Sequence, residues 1–129
     1  MGGGRSSLQR SMTMADAAIV IRWDRVVPGR EQQALSLFGQ SLEYYGTLQS
    51  EGAIENFEPV LLDPTGSDLN GIILLRGSAD QLNAVRREDR FIDITMRAAH
   101  TCEGFGVINA HLEGELQARM AKWAQIINQ

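Results

Sequence analysis

The chain of 129 residues contains 43% hydrophobic and 22% charged residues, a composition typical of one soluble domain with a single core. Its formal net charge is −4 and Lys122 is its only lysine, so no basic stripe is present to neutralise nucleic acid phosphates. The longest apolar runs are far shorter than the roughly 20 residues that cross a bilayer, so we expect neither nucleic acid nor a membrane as a partner.

The N-terminal stretch 1–13, MGGGRSSLQRSMT, combines Gly, Ser and Arg with no acid and almost no apolar residue. Such a segment cannot bury enough surface to order itself. We therefore predict a disordered leader or cloning remnant over residues 1–13 and a single domain over residues 14–129. Met12 and Met14 both precede a sensible start of that domain.

The first predicted strand is Ala17–Val27, which is rich in β-branched residues and ends at the breaker pair Pro28–Gly29. Its period of two places Ile19, Ile21 and Trp23 on one face. Apolar residues at helical spacing then predict a long amphipathic helix over Arg30–Gln49.

The stretch Ile54–Gly77 predicts two strands joined by a loop of Asp, Pro, Gly and Ser. Pro59 cannot donate a ladder hydrogen bond, which favours an edge position for the first of them or a bulge there. The second, Gly71–Arg76, is apolar on both faces and is typical of a central strand.

Ser78 and Gln81 have the spacing of a capping box and predict a short helix. The charged run Arg86–Arg90 separates it from a second helical segment, and Phe105–Leu112 alternates as a fourth strand. From Glu113 onward a last helix is predicted, with an apolar stripe at helical spacing formed by Leu116, Met120, Trp123 and Ile127.

The order β-α-β-β-α-β is the ferredoxin-like α+β arrangement, here with a split second helix and an added C-terminal helix. The segments RWDRVVPGR, FEPVLLDP, NGIILLRG and GFGVINAHL resemble the dimeric α+β barrel superfamily, in particular uncharacterised bacterial members. The resemblance implies a homodimer in which two sheets pack face to face and cover the surface that the helices leave free. The superfamily includes cofactor-free monooxygenases, lactone isomerases and haem-handling enzymes, so the fold leaves the function open.

Polar residues at strand ends give one candidate site. If Ile19 and its face meet the helices, the other face carries Arg22 and Asp24, and the more polar face of the fourth strand is expected to look the same way. An arginine pair beside a histidine could hold a carboxylate or enolate. This predicts ligand binding by Arg22, Arg76 and Asn109, with His111 as proton carrier and Asp24 orienting it.

The competing interpretation is that these residues are solvated or form structural ion pairs. Either Glu58 or Glu55 accompanies Arg76, depending on the strand register.

A second candidate surface is the long helix, where Ser41, Tyr44 and Tyr45 could border a cavity between helix and sheet. Cys102 is the only cysteine, which excludes an intramolecular disulfide and predicts a reducing, cytoplasmic compartment. We expect its thiol to be buried and inert. We predict no metal and no cofactor, because zinc and phosphate-binding signatures are missing from the sequence.

Three functions remain open at this point. The first is a homodimeric barrel that binds a small acidic or aromatic metabolite, without necessarily transforming it. The second is a cofactor-independent enzyme of the monooxygenase or isomerase type. The third is a structural or interaction protein whose interior is filled by its own side chains. The content of the cavity distinguishes them.

Overall fold

A computed structural model describes residues 15–129, so the predicted leader lies outside the described residues. The chain forms an α+β fold in which four strands make one sheet and four helices accompany it. In chain order, the elements are β1 (Ala17–Trp23), α1 (Glu31–Ser50), β2 (Asn56–Leu61), β3 (Gly71–Gly77), α2 (Ala79–Arg86), α3 (Asp89–Thr101), β4 (Gly106–His111) and α4 (Glu113–Ile127).

The sheet is antiparallel throughout, with the strand order β2-β3-β1-β4. The predicted edge position of Pro59 is confirmed, because β2 is an outer strand and pairs only with β3. The predicted central position of Gly71–Arg76 is confirmed as well, since β3 lies between β2 and β1. Proline has no backbone N–H to donate, and it is tolerated in an outer strand such as β2 because one side of that strand has no neighbour.

Directly opposed residues in an antiparallel pair point to the same side, so the register sorts the sheet into two faces. Ile19 opposes Leu75, and Ile21 opposes Ile73; all four are buried beneath the helices. Val20 opposes both Leu74 and Ile108 on the other face, which we call the open face. Apart from the buried Ala18, its apolar members are partly or fully accessible. The open-face residues between the two outer strands are Ala18, Val20, Arg22, Asn56, Glu58, Val60, Ile72, Leu74, Arg76, Gly106, Ile108 and Ala110.

The first strand ends at Trp23 and not at Val27 as predicted. Beyond it, residues 24–27 stay paired with residues 101–103 through an isolated bridge between Val26 and Cys102. The Asp24 amide donates to the Glu103 carbonyl, the Glu103 amide to the Arg25 carbonyl and the Val27 amide to the Thr101 carbonyl, each at 2.8 Å. The pairing at this end, before β4 begins at Gly106, is therefore irregular but continuous.

The capping box is confirmed at the start of α2. The Ser78 hydroxyl accepts from the Gln81 amide at 3.1 Å, and the Gln81 side chain accepts from the Ser78 amide at 2.8 Å. The same glutamine also donates to the Gly52 carbonyl at 2.9 Å. One side chain thus fixes both the beginning of α2 and the turn that ends α1.

Two glycines inside α1, Gly39 and Gly46, would be explained by close packing of this helix against the sheet, but the structure shows no such packing. A Cβ atom built on either glycine meets no heavy atom within 4 Å. We therefore expect Gly39→Ala to raise the free energy of unfolding by about 1 kcal/mol, because alanine loses less backbone entropy in a helix. Urea denaturation measures this change; a lower stability than wild type would contradict the open environment of Gly39.

The added helix α4 buries none of its residues. Its predicted apolar stripe is therefore exposed along its whole length, and Trp123 alone is 59% accessible. Of the other elements, β4 is the one that α4 mainly contacts. None of the helices described over residues 15–129 is both long enough and apolar enough to cross a membrane.

Candidate functional site

The structure does not assemble the five strand-end residues into one site. Arg22 and Arg76 lie on the open face, as predicted. Asn109 opposes Ile19, and His111 opposes Ala17, so both belong to the face covered by helices. The prediction that Asn109 and His111 share a face with Arg22 is therefore wrong.

The two ends of the sheet also separate these residues. Arg22 opposes Gly106 at one end of β1, whereas His111 opposes Ala17 at the other end. Five residues along a strand correspond to about 17 Å. Asp24, which follows Trp23, lies at the Arg22 end, beside Gly104. A direct contact between Asp24 and His111 is thus excluded, and their catalytic roles remain predictions without a shared location.

Arg86 binds the exposed side chain of Asn109 on the helix side of the sheet. Its guanidinium lies on α2 and donates to the Asn109 side-chain oxygen, with Nη2 at 2.7 Å and Nε at 3.2 Å. Nη2 also lies 3.4 Å from the Val107 carbonyl. Asn109 is therefore a structural partner that attaches α2 to the outer strand β4.

The arginines of the open face have partners within the chain. Arg76 donates to the Asn56 amide oxygen at 3.1 Å and to Glu58 at 3.0 Å, which selects Glu58 over Glu55. Arg22 donates through Nη2 to the Asp68 carbonyl in the β2–β3 loop at 2.8 Å. Its Nε atom is buried and has no partner among the described residues. The two arginines lie at opposite ends of the sheet and cannot clamp one small ligand.

The structure contains a cavity of about 360 Å³ between the sheet, α1 and α3. It opens on the helix-covered side of the sheet, near the Trp23 end of β1. Its wall is mainly apolar, so the search for polar residues at strand ends did not identify it. The lining residues are Ile21, Trp23, Val26, Glu31, Ala34, Leu35, Leu37, Phe38, Ser41, Tyr45, Leu61, Ile73, Ile94, Thr95, Ala98, Thr101, Cys102 and Phe105.

Most polar groups of this wall are already satisfied. The Ser41 hydroxyl donates to the Leu37 carbonyl at 2.8 Å, and the Thr101 hydroxyl donates to the Arg97 carbonyl at 3.1 Å. Glu31 accepts from the Gly29 amide at 3.0 Å, near the start of α1. These side chains contribute to the wall without offering a free donor.

Tyr45 is different. Its side chain is only 1% exposed, less than that of Thr101 at 4% or Ser41 at 6%, and it lines the cavity. Burial raises the pKa of Tyr45 above its ordinary value of 10.0, with no neighbouring charge involved. The phenol therefore stays protonated and is a neutral hydrogen-bond donor at the wall of an apolar cavity.

The sequence-based prediction of a cavity beside α1 is thus confirmed for Ser41 and Tyr45, which line it. Tyr44 is not among the lining residues. Its hydroxyl donates to Glu88 at 2.5 Å, and burial, followed by this carboxylate, raises the pKa of Tyr44. Tyr44 therefore joins α1 to the junction between α2 and α3.

Ionisation of Tyr45 predicts a loss of stability at high pH. In the unfolded chain this phenol releases its proton near pH 10, whereas the folded protein resists that release. The unfolded state therefore binds fewer protons above pH 10, and the free energy of unfolding falls by up to about 1.4 kcal/mol per pH unit for this group. Urea denaturation between pH 9 and 11 should show a shallower fall for Tyr45→Phe than for wild type. Parallel curves would contradict the assignment.

Cys102 also lines the cavity and is partly buried. Burial raises the pKa of its thiol, an effect that the adjacent Thr101 hydroxyl partly opposes. This agrees with the prediction of an unreactive cysteine. Among residues 15–129, no group of three or more His, Cys, Asp or Glu side chains is placed to hold a metal ion.

Comparisons with known proteins support the fold and leave the activity open. Neither family models nor curated proteins give a match to this sequence. Solved structures do match. A dimeric protein of unknown function and ferredoxin-like fold from Bacteroides fragilis NCTC 9343 superposes with a TM-score of 0.55 at 15% identity, over 77% of this chain and 99% of that one.

Two further structures have a TM-score of 0.58. A dimeric ferredoxin-like protein of unknown function from Jannaschia sp. CCS1 is 10% identical and matches over 75% of this chain and 97% of its own. The hydroxynitrile lyase from Passiflora edulis is 14% identical and matches over 78% of this chain and 96% of its own. The chain accordingly has the ferredoxin-like α+β fold, and identities this low show the fold alone.

Proposed function

We propose that this protein is a homodimer that binds a small, neutral, largely apolar organic molecule in the cavity of each subunit. The ligand class is an aromatic or similarly compact carbon skeleton that carries one acceptor oxygen. The observation that carries the proposal is the mainly apolar cavity, whose wall includes the buried side chain of Tyr45. A hydrogen bond from this phenol to an acceptor atom of a ligand would contribute about 0.5–1.5 kcal/mol.

The charge of the wall favours a neutral ligand over an acidic one. Its ionisable side chains are Glu31, Tyr45 and Cys102, none of which carries a positive charge. A carboxylate would lose its hydration here without gaining a cation. Of the two ligand classes considered from the sequence, the aromatic one is therefore favoured, and the site is on the helix side of the sheet.

The enzyme alternative receives less support. His111, the predicted proton carrier, and Asp24, predicted to orient it, do not line the cavity. The lyase from Passiflora edulis shares the fold at 14% identity, which supports no activity for this chain. Binding without transformation is thus the function that the geometry favours.

The homodimer is proposed from the open face of the sheet. Its central positions are apolar and partly accessible, which is unusual for a surface that meets only water. Both the Bacteroides and the Jannaschia proteins are described as dimeric. A second copy that applies the same face would remove these side chains from solvent.

Calorimetric titration with three probes tests the ligand class. Acetophenone carries an acceptor oxygen, isopropylbenzene has a similar shape without one, and benzoate is anionic. We expect wild type to bind acetophenone more tightly than either of the others. In Tyr45→Phe, acetophenone affinity should fall about twofold to tenfold, the value of one hydrogen bond, while isopropylbenzene affinity stays unchanged.

Tyr44→Phe is the matched control. It removes a hydroxyl from the neighbouring tyrosine, which is engaged with Glu88 and does not line the cavity, so both affinities should match wild type. Wild-type protein that binds none of the probes at millimolar concentration would overturn the proposal. Equal loss in Tyr44→Phe and Tyr45→Phe would overturn the role of Tyr45.

A further inference from the structure

We propose that α4 docks on the second copy of the chain and forms part of the dimer interface. The inference rests on the homodimer proposed above and adds a surface to it. Its basis is the stripe that Leu116, Met120, Trp123 and Ile127 form along one side of α4, which no part of residues 15–129 buries.

An isolated helix of this length has little stability in water. Helices shorter than about 12–15 residues are marginal on their own, and α4 has 15 residues with no buried side chain. Its sequence nevertheless has the regular apolar spacing that packing maintains. We infer that the contacts that stabilise α4 come from outside the described residues 15–129.

The area of the open face points to the second copy as that source. Four strands about 4.8 Å apart and about 20 Å long offer a sheet face of about 400 Å². A stable interface buries about 800 Å² on each partner. A helix about 22 Å long and about 10 Å wide adds about 220 Å², which brings the surface substantially closer to that size.

α4 also lies where it can extend this interface. It follows directly on β4, an outer strand whose Ile108 and Ala110 belong to the open face. The match to the Bacteroides protein spans 77% of 129 residues, about 99, which is close to the 95 residues of the stretch from Ala17 to His111 that holds the whole sheet. That leaves little room for α4 in the shared fold. The helix is thus an addition that enlarges the surface available for pairing.

Sedimentation equilibrium on two charge-matched double variants tests the inference. Leu116→Glu with Met120→Glu places two acids on the stripe, and Ala118→Glu with Gln125→Glu places two acids on the opposite side of the same helix. We expect the dimer dissociation constant to rise at least tenfold for the stripe variant and to stay within twofold of wild type for the control. Far-UV circular dichroism verifies that both variants remain folded.

Trp123 fluorescence supplies a second measurement. In a Trp23→Phe background, its emission should shift to longer wavelength on dilution, in step with dissociation of the dimer. A wild-type dimer whose affinity survives in the stripe variant, with Trp123 emission unchanged on dilution, would overturn the docking of α4 and leave the sheet dimer standing. A monomeric wild-type protein would overturn both the homodimer and the docking of α4.

Discussion

Truncation of Ile19 to alanine is expected to lower the free energy of unfolding by about 2–5 kcal/mol. Ile19 is 0% exposed at the centre of β1, where it packs against Leu75 and the helix layer. The deletion removes apolar contacts and leaves a void in a region enclosed by the sheet and α1. Because native domains are stable by only about 5–15 kcal/mol, the loss is a large part of the total.

Chemical denaturation followed by circular dichroism at one protein concentration measures this loss. Ile92→Ala is the matched control, since Ile92 lies on α3 with 43% of its surface exposed. Its truncation should change stability by about 0.5 kcal/mol or less. A cost below 1 kcal/mol for Ile19→Ala would contradict the position of this residue in the core.

Placing a charge on the open face should dissociate the dimer. Ile108 lies on β4 and is 50% exposed in the single chain, so the subunit itself can accommodate an acid there. In a face-to-face dimer the same carboxylate would be removed from water without a partner, at a cost of several kcal/mol. We expect Ile108→Asp to weaken the dimer at least a hundredfold and to be monomeric by light scattering at micromolar concentration.

Ile92→Asp introduces the same charge at a residue of similar exposure on the opposite, helical side of the molecule. It should leave the dimer mass unchanged. Dissociation by both variants would indicate a general loss of structure, which thermal unfolding detects. An intact dimer in Ile108→Asp would place the interface elsewhere.

Polar residues on β4 show where reasoning from alternation alone fails. Asn109 and His111 alternate with Ile108 and were assigned to the open face because they are polar. The opposite assignment was already indicated by Phe105 and Val107, which are in phase with them and pack against the core. Arg86, 23 residues earlier in the chain, donates to the exposed Asn109 side chain from the helix side of the sheet.

The cavity was foreseen only in outline. Helical spacing on α1 identified Ser41 and Tyr45 as residues that could border a space beside the sheet, and both do. The spacing could not distinguish Tyr45 from Tyr44, because adjacent tyrosines have the same chemistry. The tertiary structure places Glu88, at the junction of α2 and α3, against the Tyr44 hydroxyl, and it places Tyr45 in the cavity wall.

The sequence by itself determined the order of the elements, the outer position of β2 and the start of α2. Pro59, the Ser78–Gln81 pair and the hydrophobic periods act through local backbone geometry and hydrogen bonding, which adjacent residues fully specify. Tertiary structure alone decided which face of β4 meets the helices and which tyrosine faces the cavity. Those outcomes depend on strand register and on partners distant in the chain, where a shift of one residue exchanges the two faces of a strand.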